Sequence, residues 1–423
     1  MIWTLTALPL ALLLIGMPVF GVLLTGAVVT FILFLTVPSL ALHQIMFGGL
    51  ENYALLAVPF FIFAGELMGT GGIANKLIAW VLALIGRMPG SLGVATVGAS
   101  TLIGAISGAS VATVAAVGKS LYPGLLRDGY GQRFSSGLVS SSGAIDILIP
   151  PSIAMILYGA AGEQSIPKLF VAGVLPGLLM AAMMSGFVVL WAMRLKIPRS
   201  GSFDLKYFIR TTISAGPALF MPVFILAGIY FGFASPTEAG GFACVYAMLV
   251  GRYVYREMSW KDVLDAAIRS AMLTAQILII VATASLFSWI LTVSGVPQML
   301  AAGLQAMKLE AWNFLLIINV ILLMVGCVLD PTSAILVLTP LLLPLAKMVG
   351  IDPIHFGIVM SVNIAIGMFL PPFGLNIMVA RSVLGVPLET IYRGVLPFAI
   401  VQIISLLIIT YWPDVSLILT RAL

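Results

Sequence analysis

Small polar residues interrupt two long apolar stretches of the sequence, and their oxygen atoms are the groups best suited to binding a cation. The first interruption is Gly104-Ala-Ile-Ser-Gly-Ala-Ser110, and the second is Gly326-Cys-Val-Leu-Asp-Pro-Thr-Ser333. Broken backbone is tolerated in a membrane only where it is buried in protein or lines a cavity. Each interruption is therefore predicted to be the tip of a helical hairpin that enters and leaves the membrane on one side.

Two Pro-Pro pairs mark a second kind of interruption, within the segments Ser140–Ser152 and Asn363–Asn376. Proline has no backbone N–H and disfavours helix in the residue before it, so each pair should free several carbonyl oxygens. Unwound carbonyls at the ends of half-helices are a recurrent way of holding sodium. The pattern predicts two symmetric sodium sites, the first formed by Gly104, Ser107, Ser110, Asp146, Ile149 and Pro151, and the second by Gly326, Thr332, Gly367, Leu370 and Phe373.

An alternative explanation is that these interruptions only kink packed helices, because small residues also pack transmembrane interfaces. For a single interruption that explanation would be preferred. Four interruptions at equivalent positions favour binding sites instead.

Asp146 and Asp330 lie deep in apolar sequence, where a carboxylate is a functional hypothesis by default. Asp330 precedes a proline, so it equally fits the cap of a half-helix. In the register of the repeat described below, Asp146 corresponds to Gly367 and Asp330 to Gly108. The two carboxylates are therefore not symmetry mates.

The composition requires that these groups be positioned by membrane-spanning helices. Of the 423 residues, 61% are hydrophobic and 8% are charged, against about 25% charged in soluble domains. Several stretches without a charged residue exceed the roughly 20 residues that a spanning helix needs. The net charge of +5 comes from basic residues in loops rather than from a basic face, which argues against nucleic acid as a partner. The fold class predicted is an all-α polytopic membrane protein.

An internal repeat organises these helices. Gly173-Val-Leu-Pro176 recurs 221 residues later as Gly394-Val-Leu-Pro397, and the two Pro-Pro pairs are also 221 residues apart. The loop around Arg194–Arg210 is strongly basic, whereas the second copy ends with Asp414 and a lone Arg421. Because basic loops stay in the cytoplasm, this opposite bias predicts two inverted-topology repeats, a recurrent plan of secondary transporters.

We expect five segments. Residues 1–50 would form N-terminal scaffold helices, with two short spans separated at Gly16-Met-Pro18. Repeat 1 would cover residues 51–198, with a hairpin at about 92–122 and a broken helix at about 135–158. Residues 199–271 would contain a cytoplasmic loop, a scaffold helix pair and an amphipathic helix at the interface, capped by Ser259 and Asp262; the alternative for that helix is a plain cytoplasmic connector. Repeat 2 would cover 272–415, with a hairpin at about 312–346 and a broken helix at about 356–380, before a tail at 416–423.

Three enzymatic interpretations are weak. Val117-Gly-Lys-Ser120 resembles the end of a P-loop, but Thr113 stands where the first glycine belongs. A serine protease would need His43 or His355, which lie in loop-like regions. An aspartyl intramembrane protease using Asp146 and Asp330 would lack the expected Gly-x-Gly-Asp sequence. The chain is therefore predicted not to be an enzyme.

Over essentially its whole length the sequence resembles the large membrane subunit of tripartite ATP-independent periplasmic (TRAP) transporters, within the ion-transporter superfamily. The segments that carry the resemblance are Pro59-Phe-Phe-Ile-Phe-Ala-Gly-Glu-Leu-Met68, Gly104–Ser110, Ile149-Pro-Pro-Ser-Ile153 with Tyr158-Gly159, Leu169-Phe-Val-Ala-Gly173, and Pro371-Pro372 with Gly374-Leu-Asn376. Asp146 departs from the family pattern, which usually has glycine there. This departure leaves the ion stoichiometry and proton coupling at that site open.

The resemblance implies an elevator-type, sodium-coupled importer of a small organic acid, such as a C4-dicarboxylate, in the bacterial inner membrane. It also implies a small four-helix membrane subunit, a periplasmic substrate-binding protein and no organic cofactor. Backbone amides and hydroxyls at the hairpin tips would bind the acid, and the residues expected to do so are Ser107, Ser110, Ser142, Thr332, Ser333, Asn376 and Arg381. Arg381 fits a topology charge equally well. The alternatives are a stand-alone sodium/dicarboxylate symporter and a channel or scaffold subunit.

Overall fold

The computed structural model describes residues 1–86, 88–197, 204–306 and 309–422, without the side chains of residues 2, 106, 107 and 422. Within these ranges the regular structure is helical and no residue belongs to a β-strand. Seven of the described helices are long and apolar enough to cross a membrane. The prediction of an all-α polytopic membrane protein is confirmed.

The chain begins with two helical arms rather than one long helix. Gly16 adopts a φ of +82°, which separates them at the predicted position. A hydrogen bond of 2.8 Å from the Thr30 hydroxyl to the Thr4 hydroxyl joins the arms. The helices of this part are α1 (Ile2–Leu5), α2 (Ala7–Leu14), α3 (Val19–Phe34) and α4 (Leu40–Gly48).

Seven helices follow in the first half. They are α5 (Ala57–Thr70), α6 (Ile73–Ile85), α7 (Ser91–Ser107), α8 (Ser110–Arg127), α9 (Gln132–Ser142), α10 (Ile153–Gly162) and α11 (Ile166–Arg194). Helices α7 and α8 form a hairpin. Helices α9 and α10 are two halves joined by the 3₁₀ segment Gly143–Ile147 and the loop that contains Pro150-Pro151.

A helix pair, α12 (Leu205–Tyr230) and α13 (Pro236–Leu249), separates the two halves. Pro236 occupies the first turn of α13, where its missing N–H costs nothing. Ser235 and Glu238 form a capping box in which each side chain accepts a hydrogen bond from the other residue's backbone N–H. A π-helical turn, Val250–Val254, ends the pair.

The second half repeats the order of the first. Its helices are α14 (Trp260–Val293), α15 (Val296–Ala306), α16 (Ala311–Val328), α17 (Pro331–Met348), α18 (Pro353–Gly367), α19 (Leu375–Leu384) and α20 (Leu388–Tyr411), followed by the short α21 (Asp414–Leu417). Gly72 and Gly295, which precede α6 and α15, have φ angles of +74° and +73°. The peptide bond within each Pro-Pro pair is cis. The recurrent motifs therefore occupy equivalent places in equivalent helices.

The amphipathic segment is not a separate helix. Ser259 and Asp262 form the expected capping box, but α14 then continues without interruption for 34 residues. At 1.5 Å per residue it is about 51 Å long, which exceeds the roughly 30 Å of a bilayer core. Trp260, Leu264 and Ile268 are at least half exposed on its N-terminal part. The expected boundary between residues 271 and 272 thus falls inside one helix, because nothing in this apolar sequence stops it.

The two halves pack into each other. The hairpin arm α8 contacts α19, and the hairpin arm α17 contacts α10. Gly137 on α9 lies so close to the backbone of Gly394 on α20 that a Cβ there would overlap its carbonyl group. Helices α5 and α14, the first of each half, contact each other and also pack against the hairpin arms α7 and α17. Small residues thus let the interrupted elements of both halves form one packed unit.

Candidate functional site

A cavity of about 470 Å³ lies where the two hairpins and the two broken helices meet. Its lining from these interrupted elements comprises Gly108–Ala112, Ile147, Ile153, Ala154, Asp330–Thr332, Met368 and Leu375. The opposite wall comes from α5 and α14 and comprises Ile62, Gly65, Glu66, Gly69, Thr70, Leu273, Gln276, Ile277 and Ile280. The cavity therefore lies between parts of the interlocked unit and the α5–α14 pair.

Four helices begin at this cavity. Ser110, Ile153, Pro331 and Leu375 are the first residues of α8, α10, α17 and α19, and all four line it. A helix N-terminus has a partial charge equivalent to about +0.5, and its first N–H groups are unpaired unless a side chain caps them. Ser152 caps α10 and Asp330 caps α17, whereas α8 and α19 have no side-chain cap. Two termini come from each half of the chain, so the repeat brings all four to one cavity. This arrangement favours a negatively charged ligand.

The tip of the first hairpin is held by Gly108 and Ser110. Gly108 has a φ of +57°, and a Cβ there would lie 3.0 Å from the carbonyl oxygen of Pro151. The Ser110 hydroxyl donates to the carbonyl of Gly143 at 2.7 Å and accepts from Asn376 Nδ2 at 2.8 Å. Asn376 is fully buried. Ser110 and Asn376 are both predicted from the sequence to bind substrate. Their hydrogen bond connects the two halves of the chain beside the cavity.

The tip of the second hairpin carries Asp330, Thr332 and Ser333. Asp330 caps α17, because its carboxylate accepts from the Ser333 backbone N–H at 3.1 Å and from the Ser333 hydroxyl at 2.5 Å. Asp330 is predicted from the sequence to be either a functional carboxylate or a helix cap, and in the structure it caps α17. The Ser333 hydroxyl is buried and engaged there, whereas Thr332 lines the cavity.

Three other residues predicted to bind substrate are not placed at the cavity. Ser142 is buried and bonded to the Ser100 hydroxyl at 2.9 Å. Arg381 is exposed in the last turn of α19 and does not line the cavity, which matches its interpretation as a topology charge. Ser107 ends α7, but its side chain lies outside the described part of the chain.

The first predicted sodium site centres on Asp146. Its side chain is fully buried and packs against Gly104. The predicted site requires this contact, because it combines residues of the first hairpin tip with residues of the first Pro-Pro segment. Neither carboxylate oxygen has a well-formed hydrogen bond with the described residues, although Thr113 lies beside them. Ile149 and Pro151 are buried in the adjacent loop. A buried carboxylate without compensation is costly, so these residues fit a bound cation.

The second predicted site is neutral. Gly367 takes the place of Asp146 and packs against Gly326. The carbonyl of Leu370 already accepts from the Gly374 N–H at 3.1 Å and from the Cys327 thiol at 3.2 Å. The Phe373 side chain is 61% exposed. The two predicted sites are therefore unequal, since the first has a carboxyl group and the second has only backbone and hydroxyl oxygens.

Sequence reasoning missed the wall formed by α5 and α14. Glu66 and Gln276 line the cavity there, and Arg269 Nε lies 2.8 Å from Glu66 Oε2. A charge in an apolar helix was an available signal for Glu66. Arg269 lies in the segment predicted as an amphipathic helix, and only the packing of α5 against α14 brings it to Glu66.

The histidines do not form a catalytic site. His355 is buried, and its Nε2 lies 3.2 Å from the carbonyl oxygen of Thr410. His43 is exposed on α4. Symmetric helix breaks around a cavity between two groups of membrane helices define a membrane transport protein instead.

Comparison with known proteins gives the family. The model of the DctM component of the tripartite ATP-independent periplasmic transporter matches residues 6–415. The C4-dicarboxylate TRAP transporter large permease protein DctM of Pseudomonas aeruginosa is 42% identical over 91% of this chain and 90% of its own. The ectoine TRAP transporter large permease protein TeaC of Halomonas elongata is 35% identical over 97% and 96%.

The Alcanivorax borkumensis YdaH transporter has a similar fold, with a TM-score of 0.63, 16% sequence identity, and coverage of 97% of this chain and 99% of that chain.

The chain belongs to the DctM family of TRAP transporter large permeases. It is a multi-pass protein of the bacterial inner membrane, and its relatives are transporter subunits rather than enzymes.

Proposed function

We propose that this chain carries a small organic anion across the inner membrane by sodium-coupled secondary transport. The observation that carries the proposal is the convergence of four helix N-termini on one cavity. Backbone N–H groups and aligned peptide dipoles there favour binding of a carboxylate, and no positively charged side chain is needed for it. The Thr332 hydroxyl and the Ser110–Asn376 pair lie beside these termini and would fix the orientation of the substrate.

Sodium coupling is supported by the two Pro-Pro breaks, which differ because Asp146 lies in the first and Gly367 takes its place in the second. The first site would hold an ion with Asp146, Gly104, Ser110 and the carbonyls of the Pro150-Pro151 loop, and the second with Thr332 and the carbonyls near Gly367. A cation beside Asp146 would compensate a carboxylate that the described residues leave without a well-formed hydrogen bond. Bound cations would also attract an anionic substrate into the adjacent cavity.

Coupling of this kind is energetically sufficient. One positive charge that moves inward across 100 mV releases about 2.3 kcal/mol. A thousandfold accumulation of substrate costs about 4.1 kcal/mol, before the charge of the substrate is counted. Two sodium ions supply about 4.6 kcal/mol when the substrate carries no net charge. For an anion, the sodium concentration gradient must supply the part that the charge of the substrate cancels.

An elevator movement would alternate access to the cavity. Helices α8, α10, α17 and α19 interlock across the two halves, so they would move as one body with the substrate. Helices α5 and α14 form the opposite wall and would stay with the scaffold. The cavity lies at the boundary between these groups, where sliding would carry it past the fixed wall.

Two partner proteins belong to the proposal. As a TRAP large permease, the chain would work with a small four-helix membrane subunit and a periplasmic substrate-binding protein that delivers the anion. The relatives named above are described for C4-dicarboxylate and for ectoine. Both compounds contain a carboxylate, which is the group that the helix N-termini would bind.

One uptake experiment tests the proposal. The chain, with its small subunit, is placed in proteoliposomes, and uptake of labelled succinate is measured with and without an inward sodium gradient and with and without the binding protein. We expect uptake only when both are present. Uptake that needs sodium alone would support the stand-alone symporter, and uptake that ignores both would contradict coupled transport.

A further inference from the structure

The fixed wall of the cavity contains an ion pair that connects the first helices of the two halves. Arg269 Nε on α14 lies 2.8 Å from Glu66 Oε2 on α5, with side-chain exposures of 43% and 25%. Glu66 lines the cavity. The pair therefore places a guanidinium against a carboxylate that lines the cavity.

Helical spacing places both residues on the faces that form the wall. Glu66 lies with Ile62 and Thr70 on one face of α5, at intervals of four residues. Arg269 lies one turn before Leu273 and two turns before Gln276 on α14, and both of those residues line the cavity. Arg269 thus stands at the edge of the cavity, directly beside its wall.

The other carboxylate at the cavity is compensated in a different way. Asp330 accepts two hydrogen bonds from Ser333 and sits at the N-terminus of α17, whose dipole stabilises a negative charge. Asp262, two turns before Arg269 on α14, accepts hydrogen bonds from the Ser259 backbone N–H and hydroxyl. Glu66 lies within α5 rather than at its N-terminus, and its carboxylate forms an ion pair with Arg269.

We propose that Arg269 neutralises Glu66 and thereby keeps the fixed wall of the cavity from repelling an anionic substrate. Without the guanidinium, a full negative charge would face the space into which four helix N-termini draw an anion. Coulomb's law makes such a charge effective over about 10 Å in a partly apolar cavity. This inference rests on the proposed function for its biological meaning, but the charge of the wall can be measured without transport.

The test measures the potential in the cavity with a reporter thiol. Cys244 and Cys327, both buried, are replaced by alanine, and Val111→Cys places a thiol at the tip of the first hairpin, which lines the cavity opposite the wall. The rate constants for modification by anionic 2-sulfonatoethyl and cationic 2-(trimethylammonium)ethyl methanethiosulfonate are measured on the purified protein. Their ratio reports the sign of the local potential.

Arg269→Gln should lower the anionic-to-cationic ratio about tenfold, and Glu66→Gln should raise it by a similar factor. The double variant should return the ratio to the starting value, and Arg269→Lys should retain it. Arg393→Gln breaks an exposed ion pair with Glu389 on α20 and is the matched control, because neither residue lines the cavity. It should leave the ratio unchanged.

An unchanged ratio in Arg269→Gln, or a double variant that stays as low as Arg269→Gln, would overturn the inference. Misfolding of Arg269→Gln would not hide the answer, since Glu66→Gln must still raise the ratio. A parallel uptake assay with succinate and the binding protein should show a higher half-saturation concentration in Arg269→Gln and recovery in the double variant. If labelling responds as expected but no variant or parent imports succinate in that assay, the proposed substrate is wrong and the neutralised wall stands.

Discussion

Asp146 is the side chain whose surroundings most directly imply a ligand. Its carboxylate is fully buried against Gly104, and neither oxygen has a well-formed hydrogen bond with the described residues. A structural role alone would leave a buried carboxyl group with only Thr113 beside it. The asymmetry with Gly367 also means that the first ion site should bind more strongly than the second.

Asp146→Asn should therefore have two opposite effects. Without sodium its melting temperature should equal or exceed that of the parent, because a neutral amide is cheaper to bury than a carboxylate. The rise in melting temperature on adding sodium should shrink, with at least about a tenfold loss of apparent sodium affinity. Thermal unfolding of the detergent-solubilised protein is measured against sodium concentration, with potassium replacing sodium at constant ionic strength.

The matched control for this measurement is Asp414→Asn, which removes a half-exposed carboxylate paired with Arg421. It should leave the sodium response intact. A full sodium response in Asp146→Asn would show that the carboxylate does not contribute to the site.

The hairpins and broken helices are the elements that sequence predicts best, since their causes are local. The paired prolines, Gly108 in the first hairpin and Asp330-Pro331 in the second interrupt helices at equivalent points of the two halves. Single prolines such as Pro176 and Pro397 lie inside helices instead. The observed bounds extend the expected hairpins by only a few residues. Whether Asp330 caps α17 could not be decided from sequence, because capping and ligation need the same residue type. The α5–α14 wall was missed because contact between helices about 200 residues apart leaves no local pattern.

The approach of the first hairpin tip to the Pro150-Pro151 loop gives an element-scale prediction. Gly108→Ala places a Cβ 3.0 Å from the Pro151 carbonyl oxygen and also strains a backbone with a φ of +57°. Gly385→Ala at the end of α19 imposes a similar left-handed strain, with a φ of +65° and no atom within 4 Å. The strain alone costs about 1 kcal/mol.

Both variants should lose a similar amount of stability from that strain, whereas Gly108→Ala alone should displace the hairpin tip. We expect succinate uptake to fall at least about tenfold in Gly108→Ala and to stay within about twofold of the parent in Gly385→Ala. Uptake and melting temperature are measured on the same preparations. Equal losses of uptake in the two variants would indicate that strain, and not the contact with Pro151, explains the effect.

At the scale of the whole molecule, the repeat explains why one cavity receives four helix N-termini and lies beside both proposed ion sites. Each half supplies one hairpin and one broken helix, and the contacts of α8 with α19 and of α17 with α10 bring them together. Neither half can complete the cavity alone. Substrate and both ions would consequently move in a single step, which fixes the ratio in which they cross the membrane.

Two ion sites predict two sodium ions for each substrate molecule. With a dianion such as succinate the cycle then moves no net charge, so a tenfold sodium gradient should hold about a hundredfold succinate gradient whatever the membrane potential. The measurement clamps the potential of proteoliposomes with potassium and valinomycin and finds the succinate gradient at which net flux stops. A different result would be a succinate gradient at zero net flux that varies with the cube of the sodium gradient and shifts by about fiftyfold per 100 mV. That result would require a third cation, and the two breaks do not contain a site for it.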